Sequence, residues 1–284
     1  MILVSRGNAD GDGAERLAAI EARALTDLRA IVLQEQRDPT SNEIERYDYK
    51  VAGTLLCKRQ GWKCAYCEHR EQRLRNDVEH FRPKGRALRG WHSEAHGYWW
   101  LAWRWENLLF ACRNCNQALS EGRGKLDRFP LEEGSGVLVA EQDPYGADAG
   151  VERPLLLDPS EDSGVEHIEF RRVQVSKHEV QWRPFARHGS VRGDMTIWLC
   201  GLDRDGLVEA YERHVAEEVQ PRVQRFEGLH PFTSDAEVRR VWTEIEFELY
   251  RLGMPFVGLS YDALRTLVPD EDLNARGLTR RLPR

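Results

Sequence analysis

The spacing of apolar positions along the first sixty residues predicts two helices. The stretch "GAERLAAIEARALTDLRAIVLQEQ" (13–36) repeats apolar residues at helical intervals without a breaker, which predicts the first helix. Thr40 and Glu43 have the spacing of a capping box and predict the start of a second helix. That helix is expected to run to about Gln60 and to stop at Gly61.

The second half of the chain shows both periodicities. Residues 165–185 alternate apolar and polar positions on both sides of a polar turn and predict a β-hairpin. Helical spacing predicts a helix from about Asp203, another that starts at Ser234 and ends before Gly253, and a short one after Ser260. These elements contain no motif that indicates a chemical function, but together they predict an α+β chain that is mainly helical.

The middle of the chain, residues 62–131, carries almost all the chemistry. "DVEHFRPKG" (77–85) predicts a strand, "NLLFAC" (107–112) a second strand, and the polar segment from Asn116 the start of a helix. The chain therefore divides into three parts: a helical lead-in at 1–61, the motif region at 62–131, and a hairpin plus helical region at 132–284.

Four of the six cysteines form two Cys-x-x-Cys pairs that flank these predicted strands. Two such pairs can supply the four thiolates of a closed tetrahedral zinc site, and the alternatives are a redox dithiol or cysteines that are buried by chance. Cys57 and Cys200 are isolated, which is typical of small core residues. The predicted zinc ligands are Cys64, Cys67, Cys112 and Cys115.

Charge is distributed unevenly in this chain of 284 residues. The formal net charge is −6, which argues against a general nucleic-acid binder, yet ten basic and four acidic residues lie between Lys58 and His92. This local charge of +6 predicts either a phosphate-binding strip or an ordinary solvated loop. The strip's predicted phosphate contacts are Arg82, Lys84, Arg86 and Arg89.

The combination "CAYCE…VEHFRPK…WENLLFACRNCN" resembles the HNH nucleases, whose catalytic core is the ββα-metal fold. Within that superfamily it is most similar to the PtuB-like HNH subunit of Septu-type anti-phage systems. "KLDRFPL" (125–131) strengthens the resemblance, which is specific over residues 50–131 and weaker in "PLLLDPSED" (154–162) and "LCGLDRDGL" (199–207).

The resemblance implies a role for each matching residue. His80 falls at the general base, Glu79 at a metal ligand, Asn107 at the residue that fixes the base, and Asn116 at the last ligand position. The lysine often found three residues after that position is absent, because Leu119 lies there, so Lys125 is the candidate for the missing phosphate contact.

The chemistry of these side chains agrees with such a site. Carboxylate and amide oxygens suit Mg²⁺ or Mn²⁺, and a histidine with a pKa near neutrality suits a general base. Glu79 and His80 are adjacent, however, and would point to opposite faces of a regular strand. The resemblance implies a local distortion there, and Pro83 is compatible with an irregular strand end.

These observations predict a metal-dependent endonuclease that hydrolyses DNA, with structural Zn²⁺ and catalytic Mg²⁺ or Mn²⁺. The resemblance implies that the protein acts on phage or plasmid DNA within an anti-phage complex that includes an AAA/ABC-type ATPase. A homodimer of this chain within that complex is a further possibility. The alternative is a zinc-stabilised binding or scaffold subunit without catalysis. The chain shows no secretory signal or membrane span, which predicts a cytoplasmic protein. The tryptophans at 91–105 could stack on bases, but burial in a core is favoured.

Overall fold

The computed structural model describes residues 4, 7, 9–70, 76–90, 96–117 and 123–283. Within them about half of the chain is helical and there are two small antiparallel sheets, which confirms the α+β class. The helices are α1 (Asp12–Glu35), α2 (Ser41–Ile44), α3 (Gly53–Arg59), α4 (Arg113–Asn116), α5 (Gly164–His167), α6 (Val191–Cys200), α7 (Asp205–His214), α8 (Gln220–Glu227), α9 (Asp235–Tyr250), α10 (Val257–Leu267) and α11 (Asp270–Ala275). The strands are β1 (Asn76–His80), β2 (Leu108–Cys112), β3 (Ile168–Ser176) and β4 (Glu179–Ala186).

The lead-in contains the predicted first helix but not the predicted second one. Thr40 and Glu43 form the predicted capping box, yet α2 ends after only four residues. The side chain of Asp48 accepts a hydrogen bond from the backbone of Lys50 and starts a separate 3₁₀ turn at Tyr49–Ala52, before α3. Such a local bond gives the backbone an alternative to the helix, and this explains the break.

The motif region is built on the antiparallel pair of β1 and β2. All five residues of β2 are buried, which explains its continuous apolar sequence. The tryptophans beside it form a core, because Trp99, Trp100, Trp103 and Trp105 are at most 6% exposed. Burial was favoured over base stacking and is confirmed for these four, whereas Trp91 lies outside the described residues.

The predicted hairpin and helices of the C-terminal region are present. Strands β3 and β4 pair antiparallel, and α9 begins at the predicted cap, where Ser234 accepts a hydrogen bond from the backbone of Glu237. The helix expected from Asp203 extends further than predicted, because a π-helical stretch at Val215–Val219 joins α7 to α8. Ser260 lies inside α10 rather than before it.

The segment that carries Cys64 and Cys67 is linked to α10 by the buried carboxylate of Glu68. Glu68 accepts hydrogen bonds from the backbone N–H groups of Val257 and Gly258, at 3.2 and 3.1 Å. Lys63 lies 3.3 Å from the same carboxylate. Since an anion is stabilised at a helix N-terminus, this contact fastens the C-terminal region to the motif region. Among the helices that the structure describes, none has the length and apolar character needed to cross a bilayer.

Candidate functional site

Residues Glu79 and His80 occupy the end of β1, opposite Leu109 and Leu108 of β2. The register between the two strands shows no shift along its length. Side chains of consecutive residues on a regular strand point to opposite faces, so the carboxylate of Glu79 and the ring of His80 lie on different sides of the pair. The local distortion expected at this point is therefore not present.

His80 is held in one tautomer. Its Nε2 lies 2.9 Å from the carbonyl oxygen of Ala102, and a carbonyl can only accept a hydrogen bond. Nε2 therefore carries the proton, which leaves the lone pair on Nδ1. The ring of Tyr49 packs edge-on at 4.6 Å between centroids and fixes the orientation of the imidazole. Nδ1 is thus the atom that can accept a proton.

The imidazole of His80 is uncharged in this environment. Burial and then the positive charge of Lys84 lower its pKa from 6.5 to about 3. A neutral histidine is in the correct form to act as a base, but a group with so low a pKa is a weak proton acceptor. The side chain is also only 6% exposed. Strong basicity at this position would require a more polar or more negative environment.

The carboxylate of Glu79 is paired with Lys125. The ammonium of Lys125 contacts Oε1 of Glu79 and donates a hydrogen bond of 2.6 Å to the backbone carbonyl of His80. Burial raises the pKa of Glu79, while Lys125 opposes the shift. Lys125 was expected to contact phosphate, but its side chain is completely buried. In this conformation it instead positions the Glu79–His80 segment.

Asp77, an acidic residue that the sequence analysis did not assign to the site, lies next to Asn116. Asp77 accepts hydrogen bonds from Nδ2 of Asn116 at 3.1 Å and from Nε2 of Gln117 at 3.2 Å. Asp77 is two residues before Glu79, so both carboxylates lie on one face of β1. This strand periodicity was the signal that could have identified it. Helix α4 ends at Asn116, where the sequence predicted that a helix would start, and residues 118–122, which would continue that helix, lie outside the described residues.

Asn107 organises the backbone around His80 without touching its ring. Its side chain is fully buried and makes four hydrogen bonds. Oδ1 accepts from the N–H of Arg82 at 2.8 Å and from the hydroxyl of Tyr145 at 3.1 Å. Nδ2 donates to the carbonyls of Arg82 and Leu101, at 3.0 and 3.1 Å. Because Leu101 directly precedes the carbonyl that holds the imidazole, Asn107 supports the histidine indirectly.

The predicted phosphate-binding strip is partly internal. Arg82 and Arg89 are 7% and 2% exposed, and they bind Glu152 at 3.1 Å and the hydroxyl of Tyr98 at 3.0 Å, respectively. Lys84 lies 3.3 Å from a glutamate and is mostly covered. Arg86, whose side chain is 58% exposed, is the member that is open to solvent. Arg73 and Arg75, which contribute to the local charge, lie outside the described residues.

The four paired cysteines converge on one buried site. Their Sγ atoms all lie within 4.8 Å of one another, and those of Cys67 and Cys112 are 3.8 Å apart. Tetrahedral zinc with Zn–S bonds of about 2.3 Å places its sulfur ligands about 3.8 Å apart. The four thiols can therefore hold a zinc ion, as the sequence predicted. Cys57 and Cys200 are fully buried, in agreement with a core role.

A cation that sequence reasoning missed lies beside the cysteine cluster. Arg204 Nη1 is 3.7 Å from Sγ of Cys115 and also donates to the carbonyls of Cys200 and Gly201. Four thiolates around Zn²⁺ carry a net charge of about −2, so a guanidinium at this distance offsets part of it. Nothing in the local sequence pattern indicated this contact, since 89 residues separate the two partners.

Comparison with known proteins gives two relatives, both from Bacillus mycoides (strain KBAB4). The chain is 32% identical to Septu protein PtuB over 194 residues, which is 67% of this chain and 59% of PtuB. It is 28% identical to Septu protein PtuA over 149 residues, which is 52% of this chain and 18% of PtuA. No family model matches the chain, and no solved structure matches it.

Proposed function

Because the chain belongs with the PtuB-like Septu proteins by sequence over about two thirds of its length, we propose that it is a metal-dependent HNH endonuclease of an anti-phage defence complex. The observation that carries this proposal is the state of His80. Its Nε2–H donates to Ala102, which leaves Nδ1 free to accept a proton at the strand end where the motif places the base. The hydrogen bond to a carbonyl fixes the tautomer of this buried histidine, and the tautomer that it fixes is the one that leaves a proton acceptor on the ring.

The side chains near β1 fit a hard divalent cation by their donor chemistry. Glu79 and Asn116, together with Asp77 on the same face of the strand, offer carboxylate and amide oxygens, the ligand types that Mg²⁺ and Mn²⁺ prefer. The Nδ2 of Asn116 already donates to Asp77, so Oδ1 is the atom left for a metal. When bound, such an ion would supply Lewis-acid stabilisation of charge on the phosphate.

The proposed chemistry is phosphodiester hydrolysis. The oxygen of the attacking water bonds to phosphorus while the bond from phosphorus to the leaving 3′ oxygen breaks, and the leaving oxygen takes a proton from solvent. Nδ1 of His80 takes the proton of the attacking water, while Ala102 holds the ring in the required tautomer. Asn107 keeps the Leu101–Ala102 backbone in position. Lys125 places the Glu79 carboxylate and stabilises the end of β1 through the His80 carbonyl.

The proposed context is a complex with an ATPase that restrains or directs the nuclease. Similarity to proteins named PtuB and PtuA supports a place in a system with several subunits. The chain spans 59% of PtuB, so activity, DNA substrate and partner are all parts of this proposal.

A zinc-stabilised binding or scaffold subunit without catalysis is the second candidate. The burial of both His80 and Glu79 favours it, as does the ammonium of Lys125 beside the carboxylate. A subunit of this kind would need the Cys₄ site but no reactive histidine. The two candidates differ in whether the protein cleaves DNA at all.

The deciding experiment is incubation of the purified protein, alone and with its ATPase partner, with plasmid DNA and Mg²⁺ or Mn²⁺, with and without EDTA. We expect metal-dependent cleavage that His80→Ala lowers about a hundredfold or more, since a general base contributes typically that much. Zinc content and DNA affinity should be unchanged. His178→Ala, in the exposed turn between β3 and β4, is the matched control. Cleavage by His80→Ala at the parental rate would refute the assignment.

A further inference from the structure

Helix α6 is apolar on two opposite sides. The residues on its inner side are buried, and four of them are at most 8% exposed: Thr196, Ile197, Leu199 and Cys200. Its outer side carries Val191, which is 66% exposed, the half-buried Met195, and Trp198, which is 46% exposed. Residues three and four apart on a helix are neighbours, so these three side chains form one stripe, which we call the outer stripe.

The outer stripe differs from ordinary exposed apolar residues. Single apolar side chains are common on protein surfaces, but a surface helix normally has one apolar face and directs it to the core. Helix α6 already packs against β4 and α4 and has a buried inner side. A second apolar stripe on the same helix therefore indicates a contact with another molecule.

One acidic residue lies within the outer stripe. Asp194 follows Val191 by three residues and precedes Trp198 by four, so it lies between them on the helix surface. The residue is exposed, and no side chain in the part of the chain that the structure describes pairs with its carboxylate. Its position in the first turn stabilises α6 itself, and its charge is still open to a partner.

Two cations at the edges of the outer stripe are already paired. Arg192 donates to both carboxylate oxygens of Asp162, at 2.8 and 2.6 Å. Arg123 donates to the backbone carbonyl of Trp198 at 2.9 Å and forms an ion pair with Asp203. The outer stripe therefore combines apolar surface with one uncompensated negative charge.

This combination discriminates between the molecules that could cover the stripe. Nucleic acid is disfavoured, because Asp194 repels its phosphates. A second copy is disfavoured, because a two-fold contact centred on two identical stripes brings the two Asp194 carboxylates together. A helix of another protein fits, since apolar residues three and four apart match the stripe and a Lys or Arg beside them matches the charge.

We propose that the outer stripe of α6 binds an amphipathic helix of a partner polypeptide in which a Lys or Arg adjoins the apolar residues. Val191 and Trp198 pack against the apolar residues of that helix, and Asp194 pairs with its cation. Tryptophan is enriched among the residues that contribute most to binding, so Trp198 is the expected anchor. The inference does not depend on nuclease activity.

The test is a selection on the intact, zinc-loaded protein from a displayed library of a small three-helix domain that is randomised on the exposed face of one helix. We expect enriched domains to carry apolar residues three and four apart with a Lys or Arg beside them. In fluorescence anisotropy, Trp198→Gln should weaken binding of the most enriched domain about thirtyfold, as expected for a central aromatic anchor. Phe232→Gln, which removes a phenylalanine that is 91% exposed between α8 and α9, should leave binding unchanged.

A charge reversal tests the ion pair. Asp194→Lys should weaken binding of the enriched domain about threefold, the effect of an exposed ion pair. Replacing the cation of the domain by Glu should restore binding to this variant. Because both substituted positions of α6 are exposed, far-UV circular dichroism and zinc content should match the parent.

The proposal is overturned if no domain is enriched, if the enriched domains lack a basic residue, if Trp198→Gln binds them like the parent, or if the reversed pair does not restore binding. Self-association of the parent that Trp198→Gln abolishes would show that a second copy covers the stripe. Binding of a fluorescent oligonucleotide that the same substitution abolishes would show that nucleic acid covers it. Either of these results overturns the proposal as well.

Discussion

Replacing Asn107 by alanine should destabilise the protein more than any other single change at the candidate site that leaves charge unaltered. The side chain is fully buried, and all four of its hydrogen bonds go to groups in the interior. Three of them are backbone groups, namely the N–H and carbonyl of Arg82 and the carbonyl of Leu101. The fourth is the hydroxyl of Tyr145, which keeps a second contact with the Arg82 guanidinium.

The expected loss follows from these four bonds. A typical buried hydrogen bond contributes about 1 kcal/mol, and a buried group left unpaired costs about 1–3 kcal/mol. Asn107→Ala should therefore lower the free energy of unfolding by about 3–5 kcal/mol. That is a large part of the roughly 5–15 kcal/mol that stabilises a folded protein. Asn116→Ala is the matched control, because the half-buried amide of Asn116 donates a hydrogen bond to Asp77 at the surface of the site, and its loss should cost less than about 1 kcal/mol.

The measurement is urea unfolding of zinc-loaded parent and variants, followed by tryptophan fluorescence and far-UV circular dichroism. Coincident transitions by both probes are needed before a single free energy is extracted. If Asn107→Ala loses no more stability than Asn116→Ala, the four bonds do not hold the segment around the histidine. The indirect support of His80 by Asn107 would then be refuted.

Three further outcomes are expected. Lys125→Met should lower the free energy of unfolding in urea by about 3–5 kcal/mol, because it leaves the buried carboxylate of Glu79 unpaired. The double variant Lys125→Met/Glu79→Gln should recover part of that loss. If the single and the double variant lose the same stability, the pairing of Lys125 with Glu79 is refuted. The pKa of His80 is about 3 in the folded protein and 6.5 in the unfolded chain, so the unfolded chain gains a proton first as the pH falls. The free energy of unfolding should therefore drop between pH 6.5 and 3, by up to about 1.4 kcal/mol per pH unit. In His80→Gln, whose side chain can still donate to Ala102, the free energy of unfolding should depend less steeply on pH. Cys112→Ser should yield misfolded protein with less than one zinc per chain by metal analysis, and well-folded parent without zinc would contradict the Cys₄ assignment.

Short-range patterns predicted the framework of the site. The strand in "NLLFAC" could be predicted because β2 is buried on both faces and its sequence is therefore continuously apolar. The cysteine cluster could be predicted because each Cys-x-x-Cys pair is a local turn. The first helix, the hairpin and the cap at Ser234 depend on neighbours within a few residues, and all three are present.

The surroundings of the site could not be predicted in the same way, because they are made by contacts distant in sequence. Lys125 reaches the carbonyl of His80 across 45 residues, and Arg82 reaches Glu152 across 70. A charged residue next to a motif is more often exposed than buried, so both were read as phosphate contacts. The break after Ile44 depends on a single side-chain bond of Asp48, which periodicity does not register.

The geometry places a requirement on the proposed chemistry. Glu79 and His80 lie on opposite sides of β1, and each is at most 6% exposed, so a phosphodiester cannot reach both groups in this conformation. Ala102 covers the face of β1 that carries His80, and Lys125 covers the face that carries Glu79. Both residues are hydrogen-bonded to His80, through its ring and its carbonyl respectively, and neither belongs to a strand that pairs with β1. If the chain cleaves DNA through both groups, both covers have to move or this end of β1 has to rearrange, and binding of substrate, metal or partner must supply the free energy for the movement. A nuclease that is silent alone and active in its complex would follow directly from such a closed site.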